Sequence, residues 1–127
     1  MRIIWRNFPL PFHPNAMPAA EASTEVFTQG GAAKFWQYHD LLFQNQADLT
    51  RENLERFAQQ VGGVDMNRFR AALDNHTHQA AIQADIDAVN TAGARIGTPS
   101  CFINGRPVQG AQPFPAFEAA INQALER

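Results

Sequence analysis

Few residues in this chain have types and spacings that could do chemistry. Cys101 is the single cysteine, two positions beyond Pro99 in the run Gly97-Thr98-Pro99-Ser100-Cys101. An accessible thiol there could form mixed disulfides, because the thiolate is the nucleophile in exchange. The competing reading is a small buried hydrophobe on a strand, since free cysteine is among the most buried residue types. Phe102 and Ile103 follow it and nothing cationic adjoins it in sequence, which favours the buried reading. A lone cysteine cannot close an intramolecular disulfide, so the fold does not rest on one.

The four histidines raise the question of a metal. His76 and His78 are two apart, so on a helix they point to different sides and cannot grip one ion. His13 lies among prolines and His39 on an apolar stripe, and no cysteine or carboxylate completes a zinc-like spacing. They read as ordinary surface or core histidines, with no metal and no cofactor. Glu52, Glu55, Asp85 and Asp87 read as solvated helix faces rather than an acid–base pair. Trp5, Phe35, Trp36 and Phe43 fall at strand and helix spacing and read as core rather than a ligand pocket.

The 127 residues suit one domain with a genuine core. Apolar residues at 45% and charged residues at 17% are ordinary for a globular chain. A formal charge of −2 without a Lys/Arg cluster argues against nucleic acid as a partner. No apolar run reaches membrane-spanning length, and residues 1–8 are too short and too charged to act as a signal peptide.

The elements that must position these groups follow from periodicity. Residues 2–8 predict a strand through Ile3, Ile4, Trp5 and Phe8. Pro9, Pro11 and Pro14 impose an irregular stretch. A helix is expected from about Asn15 to Thr28, stopped by Gln29-Gly30-Gly31. Phe35, His39, Leu42 and Phe43 mark the next, and Thr50 caps one carrying Leu54, Phe57, Ala58 and Val61. Gly62-Gly63 end it, Asp65 caps a short helix with Met66, Phe69 and Leu73, and a longer one runs from about Thr77 to Ala92. That last helix should bury Ala81 or Ile82, together with Ile86 and Val89. Then the period changes. Ser100–Ile103, Asn104-Gly105 and Arg106–Val108 predict a hairpin, with Pro107 on an edge strand. A final helix over about Phe114–Leu125 carries Phe114, Phe117, Ile121 and Leu125. This order predicts an α+β or α/β arrangement around a small mixed sheet.

Two stretches resemble the DsbA-like thiol–disulfide oxidoreductases of the thioredoxin superfamily. One is Arg6-Asn7-Phe8-Pro9-Leu10 with His13-Pro14-Asn15-Ala16, continued by the segment from Lys34 to Phe43. The other is Gly97-Thr98-Pro99-Ser100, Phe102-Ile103-Asn104-Gly105-Arg106 and Gly110-Ala111-Gln112-Pro113. The resemblance implies an α/β thioredoxin-like fold over residues 1–127, with a helical insertion at about 15–93. It implies that Thr98–Pro99 is the family's cis-proline loop, where an extended substrate peptide pairs with Thr98. Without the resemblance, Gly-Thr-Pro before a strand also fits a plain turn with a trans proline.

The family's Cys-X-X-Cys at the start of a helix has no counterpart here, which puts dithiol catalysis in doubt. The resemblance implies that the first βα unit is missing and that the chain is an N-terminally truncated form. Its implied partners are protein or peptide thiols and disulfides, with no nucleic acid or membrane, and the family usually works outside the cytoplasm. Unpaired strand edges would then favour a homodimer or an aggregation-prone monomer. Two further functions fit the same residues: a non-catalytic binding module, and a glutathione-dependent isomerase or transferase.

Overall fold

A computed structural model describes residues 1–126, which fall into two compact units divided between Ala88 and Val89. The first is helical: α1 spans Ala16–Gln44, α2 Arg51–Val61, α3 Met66–Asp74, and α4, Gln79–Thr91, runs across the division.

The predicted break near Gly30-Gly31 is a kink within α1. Gly31 takes φ 76° and ψ −168°, a conformation glycine adopts without a Cβ penalty, and the helix resumes beyond it. Pro18 is tolerated because it lies in the first turn, where its missing N–H has no intrahelical partner to lose. The predicted caps form. Thr50 Oγ1 accepts from the Asn53 amide at 3.3 Å, and Asp65 Oδ1 accepts from the Arg68 amide at 3.1 Å. Gly62 ends α2 with φ 81°, and the Lys34 ammonium donates to its carbonyl.

The core of this unit joins α1, α2 and α3 through Ala22, Val26, Tyr38, Leu54, Phe57 and Phe69, all essentially inaccessible. On α4, Ile82 is fully buried and Ala81 is exposed, which resolves that expectation, while Ile86 and Val89 are only half-buried.

The second unit holds β1 (Ser100–Ile103), β2 (Arg106–Gln109) and α5 (Phe114–Leu125). The strands pair antiparallel, with Cys101 opposite Val108 and Ile103 opposite Arg106. Asn104 and Gly105 turn the chain with φ 48° and 84°, the left-handed pair that a two-residue hairpin requires. Pro107 lies on an edge strand as expected.

Two expectations need correction. Residues 2–8 form no strand, because no neighbouring strand supplies ladder bonds, and the described sheet is antiparallel rather than mixed. On α5, Phe117 and Ile121 are half-covered, whereas Phe114 and Leu125 are exposed. The described residues form an α/β arrangement, mostly helical with one small antiparallel sheet.

Candidate functional site

The loop from Gly97 to Cys101 is shaped by two hydrogen bonds. Ser100 Oγ donates to the Gly97 carbonyl at 2.6 Å, closing a local turn before β1. The Gly110 amide donates to the Pro99 carbonyl at 2.8 Å, tying the loop to the residue after β2. Thr98 and Pro99 are both exposed, and the peptide bond between them is cis. β1 pairs with β2 alone, so its other edge has no partner among the described residues. Neither Thr98 nor Pro99 brings a titratable side chain to the loop.

Cys101 is exposed, which corrects its assignment as a buried hydrophobe. One thiol cannot make a dithiol centre, so these residues cannot run a two-cysteine cycle by themselves. Among the described residues, no three His, Cys, Asp or Glu side chains gather as metal ligands.

Of the aromatic residues expected in the core, Phe35 is buried, Trp36 is half-buried, and Trp5 and Phe43 are exposed. Trp5 stacks edge-on against His39 at 4.9 Å, and His39 lies 4.7 Å from Phe43. Phe35 is buried beneath them, while Trp5 and Phe43 are 42% and 56% exposed.

Two carboxylates read as solvated prove to be bound. Asp85 accepts from the Asn7 amide and the Arg6 guanidinium, both at 3.1 Å, and thereby anchors the N-terminal stretch to α4. Glu55 lies between Arg51 and Arg70, and the Arg70 hydrogen bond is the leading reason its carboxyl titrates below the usual range. Beside this network a crevice of about 210 Å³ opens between α1, α2 and α3, lined by Asn15, Pro18, Glu21, Leu49, Arg51 and His76, among others. None of its lining residues comes from the Thr98–Pro99 loop.

Sequence reasoning also missed Glu21 and Glu25, which are almost fully buried on α1 and bound to His76 and His78. The signal was present in the spacing Glu21, Glu25, Gln29, a polar stripe at four-residue intervals on an otherwise small-residue helix.

A family model described as thioredoxin matches residues 1–123. The Na(+)/H(+) antiporter NhaA 3 of Salinispora tropica is 37% identical over 126 residues, 98% of this chain but 19% of the antiporter. A Rickettsia felis protein named as a candidate protein-disulfide oxidoreductase is 29% identical over 103 residues, 77% of this chain and 36% of that protein. Among solved structures, oxidised BdbD from Bacillus subtilis matches with a TM-score of 0.80 at 22% identity, covering 91% of this chain and 64% of that one. The chain therefore spans about a fifth of the length of the antiporters it matches.

Proposed function

Since the chain belongs to the thioredoxin family and has a DsbA-like fold, we propose that it is the substrate-facing part of a protein thiol–disulfide oxidoreductase. Thr98 and Pro99 form the peptide-facing loop, and an extended segment of a cysteine-containing protein lies along them as a strand adds to a sheet edge. The observation that carries this reading is the exposure of both residues at the entry to β1, whose free edge continues from them.

Exchange requires a thiolate to attack a disulfide sulfur and a second thiol to resolve the mixed disulfide. Cys101 is the single thiol here, so the dithiol comes from polypeptide other than these 127 residues. Titration with a short extended peptide bearing one S-methylated cysteine, followed by amide chemical shifts, tests the loop. Shifts should concentrate at residues 97–103, and shifts confined to the helical unit would reject the reading. The chain alone should reduce insulin with dithiothreitol no faster than the uncatalysed reaction. Catalysis above that rate would overturn the placement of the dithiol.

A second reading rests on the antiporter relatives, in which a segment like this one makes up about a fifth of a longer chain. On this reading the domain is a non-catalytic binding module within a transport protein, and the exposed Ile3, Ile4 and Trp5 hold a neighbouring polypeptide or a second copy. Sedimentation equilibrium distinguishes the two occupants. A concentration-dependent dimer supports the second copy, and a monomer throughout removes it.

A further inference from the structure

The buried polar stripe on α1 has partners at both ends of α3. Gln29 donates to the Asp65 carbonyl and accepts from the Asp65 amide at the head of α3. At the other end, His76 Nδ1 donates to Glu21 Oε1 at 3.0 Å and His78 Nε2 donates to Glu25 Oε1 at 2.8 Å. Glu21 and Glu25 are 2% and 4% exposed. Glu25 also accepts from Gln29 through its other oxygen.

We propose that these two histidine–glutamate pairs form a proton-dependent latch that docks the α3–α4 turn onto α1. A neutral imidazole can donate the hydrogen bond, but it leaves each pair with an uncompensated buried negative charge. A protonated imidazole keeps the bond and cancels that charge, which matters far more in the interior than in water. Glu21 and Glu25 are also four apart on one helix, so their like charges repel unless both are balanced. The docked turn therefore takes up protons.

The other charged groups along this seam do not substitute for the imidazoles. Arg51 of α2 lines the crevice beside Glu21, but its guanidinium is held by Glu55 and by Asp74 of α3. Asp65 caps α3 with its own carboxylate. The turn also has somewhere to go on release. His76 is held at φ 52°, a left-handed conformation uncommon for a residue with a β-carbon. His78 carries more of the latch, being 14% exposed against 60% for His76.

The sign follows from proton uptake. Docking is favoured while the imidazoles carry their second protons and weakens as rising pH removes them. Hydrogen-exchange protection factors of amides 77–82, corrected for intrinsic exchange, read this directly in the whole chain. Protection should fall between about pH 6 and about pH 8, by at most about tenfold per pH unit for each linked proton. A flat wild-type profile over that range overturns the latch. The variant carrying His76→Asn and His78→Gln retains amide donors without titrating, and asparagine tolerates the left-handed backbone. Its profile should be flat, and an unchanged slope in that variant would equally overturn the proposal.

Discussion

The hydroxyl of Tyr38 donates to the main-chain carbonyl of Leu54 at 2.9 Å, joining the second half of α1 to the first turns of α2. Both residues are fully buried, and burial raises the Tyr38 hydroxyl far above the ordinary phenol range. The bond satisfies a polar atom that the core could not otherwise accommodate. Tyr38→Phe keeps the ring packed against Phe69 and removes only the donor. The variant should lose about 1–2 kcal/mol in urea unfolding, because the Leu54 side of the bond then lacks its side-chain partner. No change in midpoint would show that the bond contributes nothing net.

Glu55 predicts an acid-side loss of stability. The Arg70 hydrogen bond is the largest influence on its carboxyl, burial opposes it, and Arg51 assists, with a net lowering. A carboxylate whose folded value is lowered contributes stability above its unfolded value and loses it as pH falls through the folded one. Because both arginines are partly exposed, the contribution is small, about 0.5–1 kcal/mol at neutral pH. Glu55→Gln should cost that amount near pH 7. The difference from the unsubstituted chain should then vanish as the carboxyl protonates, which paired denaturation curves across acid pH would measure.

Local signals were legible in sequence and long-range ones were not. Thr50, Asp65, Gly62 and Asn104-Gly105 act through neighbours within a few residues, so their caps and turns follow from types and spacing alone. Residues 2–8 have strand composition, yet a strand exists only with a partner, and none is present among the described residues. By residue type Cys101, Trp5 and Phe43 read as core. Their exposure depends on what covers the sheet and α1, which no local pattern encodes. The pairing of Glu21 with His76 joins residues 55 apart in sequence, beyond the reach of periodicity. At Thr98–Pro99 three residues alone also fit a plain turn, so local pattern does not distinguish a peptide-facing loop there.

The hairpin predicts a conformational penalty at one position. Gly105 sits at φ 84° with no side chain within reach of an added β-carbon, so crowding does not restrict it. Gly105→Ala should therefore cost about 1–2 kcal/mol from the left-handed backbone alone. Gly105→Asn should recover part of that loss, because asparagine visits this region more readily. Equal destabilisation by both would mean that the turn rearranges rather than bearing the strain. Amide exchange of residues 100–109 in the two variants would read the difference.

Cys101 gives the most direct test of how the sheet is covered. It lies on β1 opposite Val108, and its thiol is exposed. In the native chain it should react with an aromatic disulfide reagent to completion, at a rate close to that of the same chain in denaturant. Val108, opposite it on β2, is half-buried. A thiol that labels only after unfolding would mean that another polypeptide, a second copy included, covers this face in solution. Labelling at several chain concentrations separates those outcomes: a rate independent of concentration shows an open face, and one that falls with concentration shows that copies of the chain bury it.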